Sequence, residues 1–368
     1  MDKKKIAYIT GTRADFGRVI YTLKEIEKKQ DTSIEIIATN MHLEKEYGYT
    51  IKEIEKYFNV KERVKSIIND DSRKSMVETF GKEIIGISRS INRIKPDLIL
   101  VLGDRGEMLA GSIVGKHYGM PVGHIGGGHI SGSIDNKIRD AITIFSDLHF
   151  VANKVGKNRV IKLGADPDNV FIVGAPDLES IVKKDFTKKE EIKKKYQIDK
   201  SKHLVLFSLH PVVDKKRENE KEMKIVCDCL DKQEDLQIIA TYPNADSGGR
   251  KMADVLRKYS SFEKYKHIDY KDYLGLMNIA SVIVGNSSAG IIEAPSFKIP
   301  TVNIGDRQNM RQRAENVIDV KFDKKEINKA ITKALYDKEF AKKIEKTKNP
   351  YGDGLTSKHI VDVIGKYL

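Results

Sequence analysis

The amino-acid sequence predicts an α/β protein made of two doubly wound parallel-sheet domains whose strand ends face a common cleft. Three observations carry that expectation. Short β-branched runs alternate with helical stretches along the chain. These runs are apolar at nearly every position, as in strands covered on both faces, and do not alternate apolar with polar. The alternation breaks once, at a charged stretch near the middle, and then restarts. With 368 residues and 40% hydrophobic content, the chain can bury two cores of ordinary domain size.

The first series consists of Lys5–Thr10, Ser33–Thr39, Asp97–Leu102, Pro121–Ile125 and Leu148–Val151, separated by periodic helices such as Met76–Lys95 and Met108–Tyr118. Strands of this kind joined by helical crossovers make a parallel sheet with helices on both sides. Phe171-Ile172-Val173-Gly174-Ala175-Pro176 closes the series, and the charged stretch Lys183–Lys195 follows, so the linker is expected within 176–200. A second series runs through His203–Ser208, Leu236–Thr241, Val282–Val284 and Thr301–Ile304. The expected boundaries are 1–178 and 200–350, with 351–368 a closing helix free to pack back on the first domain.

Composition removes several function classes. No apolar run approaches the roughly 20 residues that span a bilayer. Met1-Asp2-Lys3-Lys4-Lys5-Ile6 leads directly into a strand without a signal-peptide core, so the expected location is cytoplasmic. The formal charge of +13 invites a nucleic-acid partner. Its lysines, however, interleave with Glu on amphipathic helices (Lys24, Lys28, Lys29; Lys188, Lys189, Lys193 to Lys195; Lys338, Lys342, Lys343), the pattern of a solvated face. Neither nucleic acid nor membrane is an expected partner. Cys227 and Cys229 are the only cysteines, and this Cys-x-Cys pair lacks the partners for a zinc site or a disulfide framework. Both are expected as reduced thiols.

Residues with chemistry gather in the loops that follow strands. Between Val282 and Gln308, two β-branched runs flank Gly285-Asn286-Ser287-Ser288 and a helix expected from Gly290. Such a turn offers backbone N–H groups and the hydroxyls of Ser287 and Ser288 to one anion, which suits a phosphate. Glu293 can accept both hydroxyls of a ribose through its two oxygens, or complement the helix dipole as a first-turn acid. His210 ends a strand in Phe207-Ser208-Leu209-His210-Pro211, a position that favours chemistry over packing. Tyr242-Pro243-Asn244-Ala245-Asp246-Ser247-Gly248-Gly249 follows the next strand with polar side chains for a base or ribose.

In the first series, Gly11-Thr12-Arg13-Ala14-Asp15-Phe16-Gly17-Arg18 lacks the Gly-x-Gly-x-x-Gly spacing that seats a dinucleotide pyrophosphate, which disfavours NAD. Arg13 and Arg18 can stabilise a departing phosphate, although Arg18 equally suits a solvent-facing helix position. Gly103-Asp104-Arg105-Gly106-Glu107 ends one strand, and the loop Gly126-Gly127-Gly128-His129 through Asp135 ends the next. Three consecutive glycines let the backbone pass close to a ligand, and the loop delivers His129 and Asp135 toward Asp104. Asp104 can alternatively be a turn residue and Asp135 a helix N-cap. Several titratable groups converging at one end of one sheet favour acid–base chemistry on a small polar substrate.

Together these segments resemble the UDP-N-acetylglucosamine 2-epimerases. The likeness is carried by Gly11-Thr12-Arg13-Ala14-Asp15, Gly103-Asp104-Arg105, the His124–Asp135 loop with Arg139, His210-Pro211, Pro243-Asn244-x-Asp246, and Gly285 through Glu293. Asn303-Ile304-Gly305-x-Arg307-Gln308 and Tyr351-Gly352-Asp353-Gly354 extend it over nearly the whole chain. The Arg-Ala-Asp opening and the Gly-x-Arg-Gln segment look most like the hydrolysing branch, which feeds sialic and legionaminic acid pathways.

The resemblance implies two Rossmann-like domains facing a cleft, the GT-B architecture of B-type glycosyltransferases, in a homodimer or homotetramer with no metal or redox cofactor. It implies loss of the sugar C2 proton as the nucleoside diphosphate leaves C1, then addition of water to the resulting glycal to give a free N-acetylmannosamine-type sugar. Asp104 and Asp135 are implied as the acid–base pair, and His210 as a diphosphate contact or proton-transfer group. Arg13, Ser287 and Ser288 are implied at the phosphates, with Asn244 and Glu293 on the nucleoside. Asp15, Arg18, Arg105, Arg139, Asp246 and Arg307 complete the expected substrate-binding set.

The chain departs from this pattern where the chemistry is concerned. Many relatives carry a carboxylate where Gly126 or His129 stands, and here both positions lack one; Asp140 stands where a basic residue is frequent. Either His129, titrating near neutrality, takes over proton transfer, or the substrate differs at C2 or C4; the first is the expectation. Two other readings share the fold: a GT-B glycosyltransferase, and a nucleotide-sugar sensor without turnover. UDP-N-acetylglucosamine, UDP-diacetylbacillosamine and a GDP-linked sugar are not separated by motif spacing.

Overall fold

The computed structural model describes residues 3–67, 73–130, 135–212, 218–243 and 248–368. Two compact units divide the chain: Met1–His129 with Ile134–Glu179 and Gly352–Leu368, and a second built on Ser180–Tyr351.

Seven strands form the sheet of the first unit: β1 (Lys4–Thr10), β2 (Thr32–Thr39), β3 (Val60–Val64), β4 (Leu98–Leu102), β5 (Val122–Gly127), β6 (Leu148–Val151) and β7 (Val170–Ile172). All pairs are parallel, in the order β3-β2-β1-β4-β5-β6-β7. Neighbouring residues of a strand point to opposite faces. Here both faces are apolar: Ile6, Tyr8, Leu98 and Leu100 enter one core, and Ala7, Ile9, Ile99 and Val101 enter the other. That two-sided burial is why the strands read as continuous hydrophobic runs.

The second unit repeats the plan with β8 (His203–Ser208), β9 (Leu236–Thr241), β10 (Glu263–Tyr265), β11 (Val282–Gly285), β12 (Thr301–Ile304) and β13 (Val317–Val320). They are also all parallel, in the order β10-β9-β8-β11-β12-β13. In each unit the winding reverses beside the first strand, between β1 and β4 and between β8 and β11. Crossovers leave to opposite sides there, so a crevice opens at the carboxyl ends of those strands, the place where ligands bind in sheets of this kind.

The charged stretch expected as a linker is part of the second unit, and the boundary falls between Glu179 and Ser180. Within the helix Lys189–Lys195, Ile192 is buried. Asp272 gathers the neighbourhood by accepting from Thr187 Oγ1 at 2.6 Å, from Tyr196 OH at 3.0 Å and from Lys195. Composition suggested a linker because the remaining faces of this short helix are solvated. At the other end of the chain, the helix Thr356–Tyr367 belongs to the first unit and buries Ile360, Val361 and Ile364 in the core cluster that also holds Ile6 and Tyr8. Ser357 N–H donates to Glu179 at 3.0 Å.

Several lysines pair with Glu three residues away, as in Lys28–Glu25, Lys193–Glu190 and Lys342–Glu339. Cys227 and Cys229 are free thiols buried in the helix Asn219–Asp231. Among the described residues no helix is long and apolar enough to cross a membrane.

Candidate active site

In the first unit the loop after β1 is shaped by one carboxylate. Thr12 caps the helix Arg13–Glu27 in a capping box with Asp15. Asp15 is 4% exposed and accepts from Gly11 N–H at 3.1 Å, Thr12 N–H at 2.7 Å, Thr12 Oγ1 at 2.9 Å, Tyr8 OH at 3.3 Å and the Thr10 hydroxyl. Burial raises its carboxyl above the usual range, and the donors from Thr10, Thr12 and Gly11 oppose that rise. With both oxygens occupied, Asp15 organises the loop. Arg13 and Arg18 are half exposed and pair with Glu53 at 3.0 Å and Asp177 at 2.9 Å. Exposed pairs of this kind are weak enough to exchange for another anion.

Asp104 follows β4, and Arg139 reaches it from the helix Asp135–Ile144 as an ion pair. Arg139 Nη1 also donates to the His129 carbonyl at 3.0 Å, so one guanidinium ties the loop after β4 to the loop after β5. Burial holds Arg139 below the usual arginine range, while the charges of Asp104, Asp135 and Asp140 favour its cation. Its side chain is only 8% exposed. Arg139 thus contacts both Asp104 and the His129 backbone carbonyl and feels the charge of Asp135.

Glycines and a histidine set the path of that loop. Gly126 and Gly128 take φ of +83° and +79°, and a Cβ on Gly128 would overlap the Gly156 carbonyl. A carboxylate-bearing residue in place of Gly126 would be strained by that φ. His124 Nε2 lies 2.8 Å from the Gly103 carbonyl, which can only accept, so Nε2 carries the proton and Nδ1 accepts from Thr143 Oγ1 at 3.1 Å. Burial keeps this imidazole neutral by lowering its pKa to about 3. His124 thus anchors the residue before Asp104.

Beneath the β1 loop lie charges whose grouping the sequence did not reveal. Glu107 is 1% exposed and accepts from Arg105 Nε at 2.6 Å. A Cβ on Gly11 would overlap it, which is why the β1 loop can lie so close. Glu83, from the helix Arg73–Ile94, accepts from Asn40 Nδ2 at 2.9 Å and Ser66 Oγ at 3.3 Å. Burial, reinforced by the Glu107 charge, pushes Glu83 up to about 8. Burial also raises Glu107, with Arg105 opposing and Asp15 adding to the rise. His42, fully buried between Thr10 Oγ1 at 2.9 Å and Thr50 Oγ1 at 2.8 Å, is lowered to about 4 by burial. Arg105 is thus held by Glu107 at the amino end of the helix Gly106–His117. Among the described residues no group of three or more His, Cys, Asp or Glu is arranged to hold a metal ion.

The second unit brings hydroxyls, an amide, His210 and Arg307 to its crevice. His210 follows β8, and its imidazole Nε2 lies 3.2 Å from Ser208 Oγ. Arg307 Nη1 and Gln308 Nε2 donate to the Asn286 carbonyl at 3.1 Å and 2.8 Å, which brings the loop after β12 against the loop after β11. Ser287 and Ser288 are partly exposed after β11, and Ala289 N–H donates to Ser287 Oγ at 3.4 Å.

The helix expected from Gly290 is two four-residue pieces, Ala289–Ile292 and Ala294–Phe297. Glu293 sits at their junction, 9% exposed, and Pro295 starts the second piece. The missing N–H of a proline interrupts a continuous ladder. The anion site expected there therefore rests on hydroxyls and local N–H groups, without a long helix dipole. Asn244 and Asp246 lie outside the described residues.

Two doubly wound units, each with polar residues at its switch point, define a GT-B-like α/β protein. The sequence matches the family described as UDP-N-acetylglucosamine 2-epimerase over residues 24–365. It is 35% identical over 365 residues to the UDP-N,N'-diacetylbacillosamine 2-epimerase (hydrolyzing) of Legionella pneumophila, covering 98% of this chain and 95% of that one. It is 34% identical over 346 residues to the GDP/UDP-N,N'-diacetylbacillosamine 2-epimerase (hydrolyzing) of Campylobacter jejuni, covering 92% and 89%. The fold is similar to the crystal structure of UDP-GlcNAc 2-epimerase from Neisseria meningitidis bound to UDP-GlcNAc, with a TM-score of 0.83, 20% identity and coverage of 98% and 100%. The chain belongs to the UDP-N-acetylglucosamine 2-epimerase family.

Proposed function

We propose that the protein is a hydrolysing 2-epimerase of a UDP-linked 2-acetamido sugar, either UDP-N-acetylglucosamine or its diacetylbacillosamine counterpart. A base takes the C2 proton as the C1–O bond breaks, and UDP leaves with the bonding electrons. Water then adds across the C1=C2 bond of the glycal, hydroxide to C1 and a proton to the opposite face of C2. The balance is nucleotide sugar plus water to UDP plus the free 2-epimer.

Asp104 and Asp135 divide proton removal and return, and His129 serves as a further proton-transfer group. Arg13, Arg18, Arg105, Ser287 and Ser288 hold the diphosphate as charge develops on it, and His210 touches it or assists proton transfer. Arg307, Glu293, Asn244 and Asp246 serve the nucleotide side. The observation that carries this reading is Arg139, which joins Asp104 and the His129 loop in one buried ion-paired group. The names of the relatives at 34% and 35% identity agree with the hydrolysing branch.

A sugar-nucleotide panel offered to the protein alone tests it. UDP and free 2-epimer formed in equal amounts are expected from one of the two UDP sugars. A UDP-linked 2-epimer would mean a non-hydrolysing enzyme, and an unchanged panel with UDP binding would mean a transferase or a sensor.

A further inference from the structure

Asn286 has no role in the reaction as proposed, yet its side chain is among the most constrained in the second unit. It is 2% exposed and follows β11 directly. Its Oδ1 accepts from the His210 backbone N–H at 2.7 Å, and its Nδ2 donates to the His210 carbonyl at 2.8 Å. One carboxamide thus satisfies both backbone groups of a residue 76 positions away, as an adjoining strand would. Flipping the amide would set a donor against the N–H and an acceptor against the carbonyl, so the pairing fixes its orientation.

The clamp is itself clamped. Asn286 N–H donates to the Ser208 carbonyl at 3.0 Å, and its own carbonyl takes the donors of Arg307 and Gln308. Gly285 brings β11 against β8 at φ +132°, where a Cβ would overlap the Ser208 carbonyl oxygen. The His210 imidazole is constrained as well. Ser208 Oγ, which accepts from Thr241 Oγ1 at 2.9 Å, lies 3.2 Å from His210 Nε2.

We infer that Asn286 is the positioning residue for His210, holding its backbone while Ser208 contacts its imidazole. The inference rests on the reading of His210 as a group that touches the diphosphate or moves a proton. A displacement of about 1 Å at such a group can cost roughly a hundredfold in rate, so a buried amide with no ligand contact can matter as much as one that touches substrate.

The test is a double-variant cycle with UDP release as the readout and melting temperature as the control for folding. His210→Ala is expected to lower kcat/KM about a hundredfold or more. Asn286→Ala is expected to lower it roughly tenfold to a hundredfold, mostly in kcat. The double variant should fall no more than about threefold below His210→Ala, because a clamp has no further effect once its target is gone. If Asn286→Ala does not fold, Ser208→Ala serves instead: it should shift the limb of the kcat/KM pH profile that His210→Ala removes. Losses that multiply in the double variant, or an Asn286→Ala or Ser208→Ala enzyme indistinguishable from the parent while His210→Ala is inactive, overturn the clamp alone. A fully active His210→Ala enzyme overturns the role of His210, and the clamp with it.

Discussion

The two crevices share a topology and differ in what fills them. In the first unit, Asp104, Asp15, Glu83, Glu107, Arg105 and Arg139 put carboxylates and guanidinium groups within or just beneath the strand-end loops. In the second unit the same position holds the Asn286 amide, the hydroxyls of Ser208, Thr241, Ser287 and Ser288, and His210, with Arg307 as a cation beside them. Buried charge makes proton affinity depend on the surroundings, which is what acid–base catalysis needs. Oriented neutral dipoles can hold an anion without any proton moving. One winding rule therefore opens a crevice in both units, and side-chain chemistry distinguishes the two.

The sharpest way to break that division is Asp104→Asn, which keeps the shape and removes the charge facing Arg139. UDP release should slow by about a thousandfold, while UDP affinity measured by calorimetry stays within about threefold. A parallel loss of UDP affinity would mean that Asp104 also supports the grip of Arg13, Arg18 and Arg105 on the diphosphate. Next in size is His129→Ala, expected to cost roughly tenfold to a hundredfold in turnover. If it kept most of its turnover while Asp104→Asn lost it, proton transfer by His129 would be excluded.

On the neutral side, Ser287→Ala with Ser288→Ala should raise KM about tenfold, because hydrogen bonds to a charged group are lost, with kcat within about threefold. A fall in kcat alone would place these hydroxyls in the chemical step.

The smallest effect concerns stability. Glu83 is raised to about 8 by burial, so the native state keeps a proton that the unfolded chain releases above its ordinary carboxylate pKa. Its contribution is complete at or below about pH 4.5, declines as pH rises, and is lost by about pH 8. Glu83→Gln, the neutral isostere, should leave the melting temperature unchanged near pH 5 and raise it by a few degrees, about 2–4 °C per kcal/mol, at pH 8. An equal shift at both pH values would show that charge is not the cause.

Much of this could be read in the sequence, and the exceptions have physical causes. β1, β4, β5, β8 and β11 were legible because helices cover both their faces. β3, β10 and β13 were not, because they are edge strands with mixed polar sequences such as Val60-Lys61-Glu62-Arg63-Val64. Asp104 and His129 stood out in the sequence because they follow strands, and Asp135 because it opens the next helix. Glu83 was hidden in the middle of a long amphipathic helix, where an acid reads as a solvated residue, and His42 lies in a 3-10 turn after β2. Glu107 stood in a quoted motif, but its burial against Gly11 depends on a long-range packing contact that spacing cannot encode. The break in the helix at Glu293 does have a sequence signal, Pro295, whose missing N–H ends a continuous ladder.

The most direct measurement is proton and carbon NMR of the reaction in deuterated water. Release of UDP together with a free 2-epimer carrying one deuterium at C2 is the expected result, since the C2 proton must leave and a solvent proton must return. Free sugar that keeps its original hydrogen and configuration at C2 would contradict a glycal route and the proton-transfer role of the first unit.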